Sequence, residues 1–468
     1  MDEMKAIVEE HYRLPDNLFE FQVRGRLSTA PEWFRVDGIR CFGRRWKPET
    51  KEANERAESD VAQEVQFDGH CFSLPFDLSE IVAMLWRERY DRGQTPGRFT
   101  TDAIRAAYYF FRPLLPVAAR KYAQRRALHG WEQRSFPAWP VDQTADQLIE
   151  LPLKAALSSG KVDSIPFIWF WPAGKRGCVV MTHDVETRQG LEDCPALMDI
   201  DSSYEIRSSF QLIPGGRYHV TQTQIDNLRD RGFEVNVHDW NHDGKLFGNR
   251  SLFLERAAKI NACAAEWEAK GFRAGALYRN PEWLKELHVA YDMSSPNVAH
   301  LDPQRGGCCT LFPWFAGEVL EIPLTMTQDY SLFHILGDYS LTLWKRQLEL
   351  IVAAHGMASI IVHPDYIRDV RARRVYHELL AYLRTLRHQH DLWMALPGTV
   401  NDWWRQRRQM QLVRVGQRWE IVGNGSELAS IAYARLKDGK LVYTVEAPGK
   451  IPAAAEMQPR FTVMDQAS

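Results

Sequence analysis

Two histidines separated by three residues, His238-Asp-Trp-Asn-His242, bring two imidazoles close together in the chain. On a helical turn this spacing sets both rings on one face, as two ligands of one metal ion require. A second cluster, Thr182-His183-Asp184-Val185-Glu186, offers two carboxylates. In an extended segment, alternation puts Asp184 and Glu186 on the same face. A third group, His363, closes Ser359-Ile-Ile-Val362 and is followed by Pro364, which ends the strand. Two imidazoles and one carboxylate leave a coordination position open for water, the arrangement of catalytic zinc. A lone His pair at this spacing is more often a surface feature. Here its context lifts it, because each group closes an apolar, β-rich run.

Those runs must position the groups. From about residue 165 to 400, short β-rich segments alternate with helical ones, which predicts parallel βα units. The segments are Gly177 to Glu186, Ser208 to Pro214, Glu234 to His238, Phe272 to Leu277, Tyr291 to Ser295, Val319 to Thr325 and Ala358 to His363. Leu252 to Lys270 and Leu341 to His355 have helical spacing and are followed by Gly271 and Gly356, which predicts helices ending there. About seven strands with intervening helices predict an α/β fold, a distorted and incomplete (β/α) barrel, whose functional groups sit at the C-terminal strand ends. Residues 1–164 read as a mostly helical N-terminal region of unassigned role, with Leu78 to Tyr90 and Ala103 to Arg126 as helices and Lys51 to Glu64 as an exposed helix or loop. The barrel takes 165–405, with Ile165 to Trp171 at its start read as a buried strand or a segment that packs against one. Residues 406–468 alternate apolar and polar positions around Asn424-Gly425 and Asp438-Gly439, which predicts a small antiparallel β module. The chain after Pro448 reads as poorly structured.

Composition narrows the function. A net charge of -2 over 468 residues leaves no broad basic footprint for nucleic acid. Arg371, Arg373 and Arg374 read as one solvated helix face. No stretch reaches the roughly 18 apolar residues of a membrane span, and acidic Met1 to Glu10 lacks the apolar core of a signal peptide. A cytoplasmic place, or one at the inner face of the membrane, is therefore expected. The odd number of cysteines, 7, fits reduced thiols, and Cys308–Cys309 reads as two small buried residues. The 16 tryptophans would suit sugar stacking, but Trp is equally at home in cores, so the count decides nothing.

The ordered set of motifs resembles the polysaccharide deacetylase family, the NodB-homology carbohydrate esterases. Thr182-His183-Asp184-Val185-Glu186 stands where that family has Thr-Phe-Asp-Asp-Gly. His238-Asp239-Trp240-Asn241-His242 stands in place of its His-Ser/Thr-x-x-His, with both histidines kept and Asp239 at the Ser/Thr position, and Ile360-Ile361-Val362-His363 matches its last motif. Of its Arg-x-Pro motif, Gly271-Phe-Arg273-Ala-Gly275 keeps only the arginine. The wider string, through His242-Asp-Gly-Lys-Leu-Phe247 to His363-Pro-Asp-Tyr366, is similar to a branch found with bacterial surface-polysaccharide genes. The resemblance covers about half the chain.

The resemblance implies a divalent metal, zinc in the first place, held by His238, His242 and an acid. It makes Asp184 the general base, His363 the acid that protonates the leaving amine, and Arg273 the residue that orients the base. The family's second aspartate falls on Val185, which cannot bind metal. Glu186, one step on, takes that place or exchanges roles with Asp184. Arg279 is a rival for the role of Arg273, and His183 either packs in the core or joins the site. Trp240, Tyr278, Arg279, Asp292 and Tyr366 are candidates to line the substrate groove, with Trp283 nearby. The implied reaction removes an N-acetyl group from an amino sugar in a bacterial glycan, or in its lipid- or nucleotide-linked precursor. Two alternatives stay open: hydrolysis of another non-peptide C–N bond on the same fold, and a non-catalytic carbohydrate-binding or scaffold protein. Oligomeric state is not readable from the sequence.

Overall fold

The computed structural model describes residues 2–46, 58–91, 126 and 128–446. It divides into two compact units: Arg87–Gln143 with Arg176–Asp402, and Met1–Trp86 with Thr144–Lys175 and Trp403–Ser468.

The first unit is built on one curled, mostly parallel sheet. Its strands are β1 (Cys178–Val185), β2 (Ser209–Leu212), β3 (Glu234–His238), β4 (Gly271–Arg273), β5 (Tyr291–Asp292), β6 (Trp314–Ala316), β7 (Val319–Glu321), β8 (Met357–Ile361) and β9 (Trp393–Ala395). They run in the order β6-β7-β5-β4-β3-β2-β1-β8, with β9 paired beside β8's partner, β1. Only β6–β7 is antiparallel. All eight residues of β1 are buried, as expected of a strand covered on both faces. One edge of β1 pairs with β8, and the other pairs first with β9 and then with β2. All seven runs expected as strands overlap one. The two missed, β6 and β9, are three residues each, too short to show a period.

Helices between the strands are α1 (Arg188–Ser203), α2 (Gln222–Asp230), α3 (Arg250–Glu266), α4 (Thr342–Ala353) and α5 (Val370–His390). Four of them start on a side-chain cap: Thr187, Thr221 with Gln224 as a capping box, Asn249 and Asp369. In α5 the residues Ala372, Val375, Tyr376, Leu379, Leu380, Leu383 and Leu386 form the buried stripe. Arg371, Arg373 and Arg374 lie on the exposed side, as their spacing predicts. Helix α3 stops at Glu266, before Gly271, which opens β4 instead of ending the helix. That glycine is needed for space: a Cβ there would stand 2.3 Å from the Tyr291 ring and 2.7 Å from Asn236 Oδ1.

The second unit departs from the mostly helical reading of the N-terminal region. Helices Asp2–Tyr12, Leu78–Trp86 and Thr144–Ser158 share it with strands Glu20–Val23, Glu32–Val36, Ile39–Gly43, Gln66–Phe67 and Cys71–Leu74. One overlooked signal is Asp37-Gly38. Both residues adopt positive φ, 51° and 74°, and turn Glu32–Val36 back on Ile39–Gly43 as a hairpin. Asp438-Gly439 does the same between Ile431–Lys437 and Lys440–Val445. The buried strand Ile165–Ile168 pairs with Ile431–Lys437, so the segment expected to open the barrel joins the C-terminal β module in one sheet. The helix expected over Ala103 to Arg126, the stretch 51–57 and the chain after Pro448 lie outside the described residues, apart from Arg126. All seven cysteines are free, and Cys308 and Cys309 are buried. Among the described residues no helix is long and apolar enough to cross a membrane.

Candidate metal centre and active site

The site lies at the C-terminal ends of β1, β3, β4 and β8. Alternation along β1 sends its neighbouring polar groups to opposite faces. Asp184 meets Arg273, with Arg273 Nη1 2.6 Å from Asp184 Oδ1. His183 points the other way: Nδ1 donates to the Val362 carbonyl at 2.8 Å, and Nε2 lies 2.9 Å from Asp201 Oδ2 in α1. Asp201 also accepts from the hydroxyls of Ser208 and Tyr376. His183 therefore belongs to a fully buried polar network, the core reading of that residue. Glu186, one residue past the end of β1, turns back toward the histidines.

His238 ends β3, in register with Arg273 of β4. Its Nδ1 donates to the Arg273 carbonyl at 3.1 Å, which fixes the tautomer and leaves Nε2 with a lone pair. That Nε2 is buried and makes no hydrogen bond. Burial pulls the His238 pKa down to about 4, so the ring is neutral and free to ligate at neutral pH. His242 follows in a loop, not on the helical turn that its spacing predicts. The turn is made by two left-handed residues, Asp239 (φ 55°) and His242 (φ 54°), a conformation that non-glycine residues hold only when their surroundings enforce it. The enforcing contacts are visible. The Asp239 N–H donates to the Arg273 carbonyl at 2.8 Å, and Arg256 of α3 grips Asp243 with two 2.7 Å bonds. Gly275 leaves the room: a Cβ there would stand 2.4 Å from Asp239 Oδ2 and 2.9 Å from His242 Cδ2.

Ring centroids of His238 and His242 are 4.8 Å apart. Glu186 Oε1 lies 2.9 Å from His242 Nε2, yet that nitrogen makes no hydrogen bond. One donor atom each from Glu186, His238 and His242 falls within 4.8 Å of the others, and this is the one such group of three among the described residues. Orphaned, buried imidazole nitrogens facing a carboxylate fit a divalent ion well. The donor set of two imidazoles and one carboxylate is the one catalytic zinc takes. Burial alone would raise the Glu186 carboxyl, but His242 and His363 hold it well below the usual carboxylate range, so it is ionised.

Asp184 is outside that trio, with Oδ2 3.8 Å from His238 Nε2. Its partner is Arg273, fully buried, which also donates to Thr182 Oγ1 and the Met293 carbonyl. Burial pushes the Asp184 carboxyl up, and Arg273, His238 and His363 more than offset it, so it stays ionised. On the other side of Glu186, His363 Nε2 lies 3.6 Å from Oε1. Its Nδ1 donates to Asp329 Oδ1 at 2.7 Å, and its backbone N–H donates to Oδ2 at 2.7 Å. Burial would pull the His363 imidazolium down, but Asp329 and Glu186 carry it well above the ordinary 6.5. Asp329 was not found by sequence reasoning. Its one signal was an acid shortly beyond a strand end, in Thr327-Gln328-Asp329, where no periodicity marks it.

The expected substrate residues divide. Tyr366 packs on His363, with ring centroids 4.7 Å apart, and is half-buried. Trp240 lies inside the His loop, half-buried, with its carbonyl accepting from the Gly215 N–H at 2.8 Å. Tyr278 is buried next to Gly275, and Trp283 packs on Phe247 and Phe253. Asp292 is buried and accepts from Ser294 Oγ, which in turn accepts from the Ala274 N–H, so it props the loop after β4 from below. Arg279 is not near Asp184: it is spent on buried Glu88, at 2.6 Å and 2.9 Å, which removes it as a rival of Arg273. Glu88 follows a helix and carries no motif, so this partner had no sequence signal.

No protein-family model and no curated protein matches the sequence. Solved structures similar to part of the chain include polysaccharide and peptidoglycan deacetylases and a pseudoenzyme of the same carbohydrate-esterase family. A polysaccharide deacetylase from Mycobacterium smegmatis is 17% identical over 53% of this chain and 96% of its own, with a TM-score of 0.42. The peptidoglycan deacetylase PdaC from Bacillus subtilis is 13% identical over 50% and 94%, with a TM-score of 0.32. A polysaccharide deacetylase of O-antigen biosynthesis from Bordetella bronchiseptica is 17% identical over 46% and 92%, with a TM-score of 0.31. About half of this chain is thus similar, at low identity, to nearly whole chains of polysaccharide and peptidoglycan deacetylases.

Proposed function

We propose that the protein is a metal-dependent hydrolase that removes an N-acetyl group from an amino sugar in a bacterial glycan or its lipid- or nucleotide-linked precursor. The observation that carries this reading is the convergence of Glu186, His238 and His242 between an ionised Asp184 and a cationic His363. Glu186, His238 and His242 would hold a divalent ion, zinc by donor type. The chemistry such an ion supplies when bound is Lewis acidity toward the amide carbonyl and a lowered pKa for water.

The chain's own groups then divide the work. Asp184, kept ionised by Arg273, accepts the proton of the water that attacks the acetyl carbon. Arg273 fixes the direction of that carboxylate, since two further acceptors hold its guanidinium in place. His363, kept cationic by Asp329, gives its proton to the amine as the C–N bond breaks. Acetate and a free amino sugar leave. Tyr366 and Trp240, half-buried beside the acid and the His loop, are placed to meet the sugar ring, as aromatic faces do. This assignment makes Glu186 the third ligand and Asp184 the base, of the two orders that the sequence left open.

Acetate release from N-acetylhexosamine oligomers and from lipid-linked precursors, with zinc measured on the same samples, tests the reading. Zinc-dependent acetate release is expected, lost in His238→Ala. Protein purified without chelator that neither carries nor takes up zinc would sink it.

A further inference from the structure

We infer that the loop Gly215–Tyr218, between β2 and α2, is a brace that sets the two metal-ligand loops against each other, with Arg217 as its main positioning residue. The inference rests on the metal-centre reading above.

Sheet order supplies the placement. Strand β2 lies between β1 and β3, so the loop that follows it emerges between the loop carrying Glu186 and the loop carrying His242. Arg217 spans them: Nη1 donates to the Glu186 carbonyl at 3.1 Å, and Nη2 donates to the His242 carbonyl at 2.8 Å. One planar guanidinium therefore fixes the main chain of two of the three ligands at once. The rest of the loop adds two further ties. Tyr218 Oη donates to the Val185 carbonyl at 2.5 Å and accepts from the Ile213 N–H at 2.8 Å. The Gly215 N–H donates to the Trp240 carbonyl, and a Cβ at Gly215 would stand 2.7 Å from that oxygen, so only glycine allows the approach.

Such a brace answers a specific need. Glu186 lies beyond the last residue of β1, outside the strand's hydrogen bonding, and His242 sits in a strained loop. Neither position is fixed by the sheet itself. Among the described residues no carboxylate lies within ion-pair distance of Arg217, so carbonyls are its partners there. A cation near a metal site works against metal binding by charge alone. The benefit of Arg217 must then come from geometry, and this separates the two effects by experiment.

Zinc affinity of the full chain, measured by competition with a chromogenic chelator, tests the brace. Arg217→Lys keeps the charge and loses the fork, and Arg217→Ala loses both. Both variants are expected to bind zinc about 10- to 100-fold more weakly, the usual effect of removing a group that orients ligands. Tyr218→Phe is expected to weaken binding in the same direction. Thermal midpoints of the metal-free Arg217 variants are expected to match the wild type, since Arg217 is exposed. Wild-type affinity in Arg217→Lys, or tighter binding in Arg217→Ala, would overturn the brace while leaving the metal centre intact. A wild type that takes up no zinc would overturn both.

Discussion

Asp329 holds His363 at two points of equal length, 2.7 Å to the ring Nδ1 and 2.7 Å to the backbone N–H. The carboxylate thus fixes both the orientation of the imidazole and the place of the residue that carries it. It also leaves Nε2 as the ring atom facing the Glu186 carboxylate. A charged partner on the far nitrogen is what lets this buried histidine remain cationic where burial alone would neutralise it.

The first prediction concerns pH. In the wild type the alkaline limb of kcat/KM is expected at a pH above the ordinary histidine value of 6.5, because the proposed role of His363 needs its protonated form. Asp329→Asn removes the charge that raises it. The alkaline limb is expected to move to lower pH, and activity at neutral pH to fall by about 100-fold. The same shift acts on stability. A histidine raised on folding contributes stability that is fully present below its unfolded pKa and is lost as pH rises through the folded one. Denaturation of the metal-free protein is therefore expected to show a decline in stability above pH 6.5 that Asp329→Asn lacks. An unmoved limb in the variant would mean that another group sets it.

The second prediction separates ligand from base. Glu186→Gln is expected to lower zinc affinity at least tenfold, since it removes one of three donors and their only negative charge. Asp184→Asn is expected to bind zinc within a few-fold of the wild type yet lose about 100- to 10,000-fold in kcat. Zinc titration and acetate release on the same preparations decide it. The reverse pattern would exchange the two roles.

The third prediction tests the space under the His loop. Gly275→Ala places a Cβ 2.4 Å from Asp239 Oδ2 and 2.9 Å from the His242 ring. The backbone at Gly275 is not left-handed, so the cost is steric. Overpacking of this kind costs about 1–3 kcal/mol, and here it pushes directly on a ligand. Zinc affinity is expected to drop at least tenfold, and thermal stability to fall modestly.

Much of this centre was legible in the sequence because its parts are local. Each of Asp184, His238 and His363 lies at or next to the end of a β-rich run, and the expectation that these runs form parallel strands of one sheet is what brings the three together. What was not legible depends on contacts distant in the chain. Asp329 serves His363 across 34 residues, and Glu88 serves Arg279 across 191. The His-x-x-x-His spacing suggested a helical turn because four residues fit one. Two left-handed residues achieve the same convergence in a loop, and nothing in the types Asp239 and His242 announces it. In the N-terminal region, helical spacing in Leu78 to Tyr90 was real, but it was extended over short strands marked by the turns Asp37-Gly38 and Asp68-Gly69.

The fourth prediction uses the pair Glu88–Arg279 to separate stability from chemistry. Both side chains are buried, with Arg279 Nη2 2.6 Å from Glu88 Oε1, and Arg279 also donates to the Leu277 carbonyl. A buried pair gains little over an apolar one, because desolvating two charges offsets most of their attraction. Breaking it is different, since the remaining charge is stranded. Glu88→Ala is expected to destabilise the protein by about 3–5 kcal/mol, read as a lower midpoint in urea. At temperatures where the variant stays folded, kcat is expected to remain within a few-fold of the wild type, because Arg273, not Arg279, meets Asp184. Arg273→Ala should show the opposite ratio of effects, with kcat falling far more than its stability cost explains. A large loss of kcat in folded Glu88→Ala would return Arg279 to the catalytic machinery.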